Sequence, residues 1–112
     1  AYLYEFARDP AGANGNGWAH HASDIPFTFH VLNATGPEAD EYFLASASDV
    51  ELSARILAFW ADFATTGAPE GWPSVGKPEH AAMLFPDADE VPSTIPNYKA
   101  AACAVWDAVQ NV

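Results

Sequence analysis

The opening residues constrain the fold more than any other stretch. Residues 2–7 read Tyr-Leu-Tyr-Glu-Phe-Ala, rich in aromatics and with little alternation of apolar and polar side chains. A strand with one wet face alternates with period two, whereas a near-continuous apolar run marks a strand covered on both faces, as in a parallel sheet between helical layers. Such a strand needs parallel neighbours, and these need crossover connections of a dozen or more residues. No β–α–β unit stands out in the rest of the sequence, so the strand's partners are expected outside these 112 residues. Nor does the N-terminus have the basic and apolar regions of a signal peptide. The chain is therefore expected to be a segment of a larger domain that starts within its fold. Asp9-Pro10 stops the strand, and residues 9–17 form a loop by composition. The glycines of that loop lack the spacing, the lysine and the following cap of a phosphate cradle.

The clearest helix covers residues 48–66. Ser48 and Glu51 have the spacing of a capping box, and Leu52, Ile56, Phe59 and Phe63 recur on one helical face, widened by Leu57 and Trp60. Gly67 is placed to stop the helix, with Pro69 just beyond. Residues 36–47 read as an acidic surface connection. Residues 68–96 hold Pro69, Pro73, Pro78, Pro86, Pro92 and Pro96, which predicts a long irregular connection in which Ala82-Met83-Leu84-Phe85 can form a short strand. A last helix is expected over residues 98–110, capped by Asn97, with Ala102, Val105, Trp106 and Val109 facing inward.

Composition removes several function classes. Net charge is −11, from 4 Lys+Arg against 15 Asp+Glu. A nucleic-acid partner requires a basic patch that exchanges counterions with phosphates, and none exists; an anionic membrane surface is disfavoured likewise. No apolar run reaches the ~18 residues of a transmembrane span. Half the residues are apolar and 13% aromatic, a heavy ring load for a chain this short. Some of those rings must be exposed or packed against something outside the chain.

The densest chemistry lies in Gly17-Trp18-Ala19-His20-His21-Ala22-Ser23-Asp24-Ile25-Pro26-Phe27-Thr28-Phe29, with His30 following. Imidazoles beside a carboxylate suit zinc, but His20, His21, Asp24 and His30 match no standard metal-site spacing, and no metal or cofactor is expected. The segment instead resembles the histidine loop of the type B carboxylesterases, whose pattern is roughly Ala-x-His-Gly-x-Glu/Asp-x-Pro-aromatic-x-Phe. Tyr2-Leu3-Tyr4-Glu5-Phe6 resembles the family strand before that loop. Asp49, Leu52-Ser53, Trp60, Phe63-Ala64, Thr66-Gly67, Pro69 and Trp72-Pro73 resemble the helix and turn after it, and Cys103-Ala104-Val105-Trp106 a Cys-x-x-Trp near the family's end. The resemblance implies an α/β fold class. Residues 1–112 would be the C-terminal portion of an α/β-hydrolase: a late sheet strand, the histidine loop and the C-terminal helices. Ala22 departs from the pattern, where glycine is usual, and so do Trp18 and the additional His20.

The resemblance also implies a chemistry. Setting Asp24-Ile25-Pro26-Phe27 on the carboxylate-Pro-aromatic half of the motif makes His21 the catalytic histidine. In such hydrolases the histidine takes the proton of a serine nucleophile and later protonates the leaving alcohol. A free imidazole, titrating near ~6.5, suits both steps. His20, Trp18 and Asp24 would then orient the site or wall its pocket. Asp24 is not the triad acid, because the family's acid precedes the histidine loop. No G-x-S-x-G elbow and no glycine-rich oxyanion segment occurs in the chain. The triad order Ser, acid, His therefore places the first two on a companion N-terminal chain, with a small-molecule ester as substrate. The alternative within the family is a non-catalytic adhesion or binding protein that has lost the serine. An independent acidic binding domain fits less well with the opening strand, the long proline-rich connection and the single cysteine. Asn33-Ala34-Thr35 is a glycosylation sequon. Cys103, the single cysteine, resembles a disulfide-bearing position of secreted relatives. Together they give the expectation of a secreted glycoprotein with Cys103 bridged to, or buried against, the companion chain.

Overall fold

The structure is a computed structural model that describes residues 1–9, 19, 21–32, 45–76, 80–87 and 90–110. In chain order the elements are β1 (Tyr4–Phe6), α1 (Ile25–Thr28), α2 (Ala47–Thr66), β2 (Ala82–Phe85), β3 (Ser93–Ile95) and α3 (Ala100–Gln110). The strands form one sheet in the order β1-β2-β3. β1 and β2 are parallel, with Tyr4 opposite Met83 and Phe6 opposite Phe85; β2 and β3 are antiparallel, with Ala82 opposite Ile95. Main-chain bonds from Met83 to the Leu3 carbonyl and from Ala7 to the Phe85 carbonyl, both 2.9 Å, extend the parallel ladder beyond the strand ends.

This corrects the sequence expectation at the opening strand. The chain does supply a β–α–β crossover, because β1 returns through α1 and α2 to a parallel partner in β2. The strand at Ala82–Phe85 matches the expectation, but its pairing with β1 was not foreseen, since a four-residue apolar run among prolines carries no signal for the strand it joins. β1 is also shorter than residues 2–7, and its three residues are half-buried rather than enclosed. Leu3, alternating away from Tyr4, is 40% exposed. β3 was not expected at all. It is an antiparallel edge strand of three residues bounded by Pro92 and Pro96, a place where proline removes no needed ladder bond.

Register decides where the core sits. Residues opposite one another in a sheet share a face, so Tyr4, Phe6, Met83 and Phe85 all point to the helical side. There they meet Phe27 of α1, Leu52 and Ile56 of α2, and Trp72. Trp72 is the hub of the rings. It lies 5.4 Å from Phe59, 5.7 Å from Phe85, 6.1 Å from Tyr4 and 6.3 Å from Tyr2, and it stacks on Trp60 at 5.5 Å. Its indole N–H donates to the Leu3 carbonyl at 3.0 Å, so the ring is fixed by a polar bond as well as by packing.

α2 is capped two residues earlier than the sequence indicated. Ser46, not Ser48, is the N-cap: its Oγ accepts from the Asp49 N–H at 3.1 Å, and Asp49 Oδ2 accepts from the Ser46 N–H at 2.7 Å. Both serines have an acid three residues on, but only Asp49 is fully buried and also meets Arg8. At the other end the Gly67 N–H reaches the Phe63 carbonyl at 2.8 Å with φ 77, the left-handed stop that the glycine allows. The buried stripe is Asp49, Leu52, Ser53 and Ile56, so it is rotated toward polar residues, while Leu57 and Phe63 stay about half exposed.

α3 departs furthest from expectation. It begins at Ala100 rather than residue 98, and Asn97, with φ 54, is not in an extended cap conformation. None of its residues is buried: Val105, Trp106 and Val109, expected to face inward, are 64%, 68% and 60% exposed. An apolar stripe tells which side of a helix wants cover, not whether these residues provide it. No helix among the described residues is long and apolar enough to cross a membrane.

Candidate active site

His21 sits in a turn spanning residues 21–24 that leads directly into α1. The turn is locally determined. Ala22 adopts φ 67, and its carbonyl accepts the Ile25 N–H at 3.1 Å. That left-handed conformation disfavours any side chain, which is the physical reason glycine suits the position and the place where Ala22 departs from the family pattern. Pro26 lies in the first turn of α1, where its missing N–H is harmless and its fixed φ favours helix entry. The Thr28 N–H closes the helix onto the Asp24 carbonyl at 2.9 Å. Turn and helix therefore form one hydrogen-bonded body.

That body is seated on the helical face of the sheet at three points. The Tyr4 hydroxyl donates to Asp24 Oδ2 at 2.7 Å. Burial, together with the bond to Asp24 and its negative charge, pushes the Tyr4 phenol up to about 12, so the proton in this bond is firmly held. Phe27, fully buried, packs on Phe6 with ring centroids 5.1 Å apart. The Phe27 carbonyl accepts from Ser53 Oγ of α2 at 2.7 Å. His21 itself is exposed, presented by the braced turn rather than enclosed in the core. Asp24 makes no capping bond to α1; its side chain ties the turn to β1 instead.

The start of the segment carrying His21 is held by a buried ion pair. Arg8, two residues after β1, donates from Nε to Asp49 Oδ1 at 2.7 Å and from its terminal nitrogen to Ser48 Oγ at 2.7 Å. Asp49 Oδ2 is meanwhile filled by the Ser46 N–H and hydroxyl. Both oxygens of this buried carboxylate are hydrogen-bonded, and removing one partner of the ion pair would strand the other. Arg8 therefore clasps the exit of β1 to the N-terminus of α2, the two flanks of the histidine segment.

The singled-out residues do not converge on a single cluster. Asp24 goes to Tyr4 and His30 to Ser53, and among the described residues no group of three or more His, Cys, Asp or Glu side chains could hold a metal ion. Trp18, His20 and Asn33 lie outside the described residues, as do most of residues 9–17 and 36–47. Cys103 is exposed on α3. Sequence reading overlooked Arg8, Tyr4 and Ser53 as anchors. Arg8 left one usable signal: it is one of only 4 cationic side chains in the chain and follows an apolar strand directly, where a lone charge needs a partner.

The model of the carboxylesterase family matches residues 1–106, and the chain belongs to that family. Among solved structures it is similar to the Geobacillus stearothermophilus carboxylesterase EST55 at pH 6.2, with 24% identity and a TM-score of 0.70 over 94% of this chain and 21% of that one. It is also similar to a PNB esterase, with 21% identity and a TM-score of 0.69, over 92% of this chain and 20% of the other. These likenesses establish the α/β-hydrolase fold. The chain spans about a fifth of the length of the structures it matches.

Proposed function

We propose that residues 1–112 are the C-terminal segment of a carboxylic ester hydrolase that works through a serine acyl-enzyme, with His21 as its general base. The observation that carries the reading is the seating of His21: exposed, on a turn after a parallel strand, inside the family-matched segment and braced from both sides. In this reading the serine, the acid and the oxyanion donors are supplied from outside these residues, by the four-fifths of the relatives' fold that the chain does not span. His21 takes the serine proton as the hydroxyl attacks the ester carbonyl, then delivers it to the departing alcohol; a water repeats the cycle to release the acid. Asp24 acts on the turn, through Tyr4, and not as the triad acid. Secretion, a glycan on Asn33 and a bridge from Cys103 to a cysteine outside these residues complete the proposal, and intact mass of the native protein before and after reduction and deglycosylation tests them.

The test of the base is kinetic, on the full-length protein with a short-chain aryl ester, folding checked first. His21→Ala lowers kcat by roughly 10⁴–10⁶. His20→Ala costs only about tenfold, through pocket shape. A dead His20 variant beside an active His21 variant moves the assignment by one residue. Full activity in both removes this loop from the chemistry, whereas a wild-type protein without esterase activity favours the non-catalytic reading.

A further inference from the structure

Ser53 lies on the buried face of α2, and its side chain is fully enclosed. It reaches out of its own helix to the Phe27 carbonyl at 2.7 Å, and a second group, His30 Nδ1, also approaches its oxygen to 2.7 Å. A hydroxyl has one proton, and the carbonyl, which can only accept, takes it. The imidazole must then be the donor, so His30 carries its hydrogen on Nδ1. The same bookkeeping rules Ser53 out as a nucleophile, since it is buried and its proton goes to a main-chain carbonyl rather than to a base. His30 itself sits at φ 52, left-handed backbone that asparagine and glycine accept more readily than histidine.

We infer that Ser53, oriented by His30, is a positioning residue for the catalytic base; the inference rests on His21 filling that role. The turn at residues 21–24 and α1 move as one body because their main-chain bonds join Ala22 to Ile25 and Asp24 to Thr28. Tyr4 holds this body at its leading end through Asp24. Phe27, buried on Phe6, holds the middle of the body by ring packing, which is not directional and permits tilt. The directed Ser53 bond at the trailing end is the second polar tie and limits that tilt, and with it the displacement of His21. Misplacement by about 1 Å is enough to lower a rate about 10²-fold, so a small tilt is catalytically expensive even when the fold is intact.

The experiment uses the full-length enzyme with a short-chain aryl ester and four variants: Ser53→Ala, His30→Ala, His30→Asn and, as reference, His21→Ala. Asparagine places an amide N–H close to where Nδ1–H stands and tolerates the backbone of His30. The expected result is a fall in kcat of about tenfold or more for Ser53→Ala, with KM within about twofold, a smaller fall for His30→Ala, and recovery toward wild type in His30→Asn. Wild-type kcat in Ser53→Ala beside a dead His21→Ala overturns the inference and leaves the base assignment standing. An active His21→Ala instead removes the assignment on which the inference rests. If Ser53→Ala does not fold, the two His30 variants decide: equal kcat in both overturns the inference, and rescue by asparagine alone supports it.

Discussion

α2 and α3 carry similar sequence signals and have opposite fates. Each shows an apolar stripe at helical spacing, and each was expected to bury it. α2 lays its stripe against the sheet and α1, with Leu52 and Ile56 in the core and Asp49 and Ser53 bonded across to Arg8 and Phe27. α3 leaves Val105, Trp106 and Val109 bare. The stripe itself does not explain the difference. α2 has a capping box, a left-handed glycine stop and two polar residues inside its stripe that find partners on other elements. α3 begins after two residues with positive φ, Asn97 and Lys99, and none of its residues is buried. A helix is docked by what reaches across from it as much as by its hydrophobicity.

The largest effect separating the two helices comes from cutting a tie. Asp49→Ala strands the Arg8 guanidinium in the interior and should destabilise the full-length protein by about 3–5 kcal/mol, read by denaturant midpoint. A loss below ~1 kcal/mol would mean that the clasp is solvated and that α2 docks by its stripe alone. Next comes Trp106→Ser. If α3 seats against the portion of the domain outside residues 1–112, as the proposed segment reading requires, the substitution costs about 2–3 kcal/mol in the full-length protein. A change within about 0.5 kcal/mol, the usual range for surface sites, would mean that α3 remains solvated there as well. The smallest is Tyr4→Phe, which removes the phenol bond to Asp24 and should cost about 1–2 kcal/mol at neutral pH. It also carries a pH signature. The phenol's folded value lies near 12, above its ordinary 10, so its contribution is complete below pH 10 and is lost as pH rises from 10 through 12. The wild-type minus Tyr4→Phe stability difference should therefore shrink across that window. A difference flat in pH would show that the phenol is not held in this bond.

What could be read in advance follows the same division. α2 was legible because its signals are local: the periodicity, the glycine stop and a serine–acid spacing, although the spacing occurs twice and only a buried arginine from another element selects Ser46-Asp49. The family resemblance of the segment around His21 was legible because its motif is contiguous. β3 and the parallel pairing of β2 were not, because short strands among prolines carry no period and their pairing is fixed by distant residues. The anchors of the histidine turn, Tyr4, Ser53 and Arg8, lie 20 or more positions from the groups they hold or clasp. No local pattern marks a tyrosine as a donor to an aspartate on another element.

The pairing of Tyr4 with Met83 has a consequence for how the chain comes into being. β1 leaves the ribosome before β2, which follows about 80 residues later, a delay of roughly 4–16 s at typical synthesis rates. Local helices complete themselves in microseconds within that interval. β1 spends it as an aromatic-rich ribbon with an unsatisfied edge, the form in which such segments pair with the wrong neighbour. Glu5 within the strand, Arg8 just past it and the Asp9-Pro10 break behind it oppose such pairing before β2 arrives.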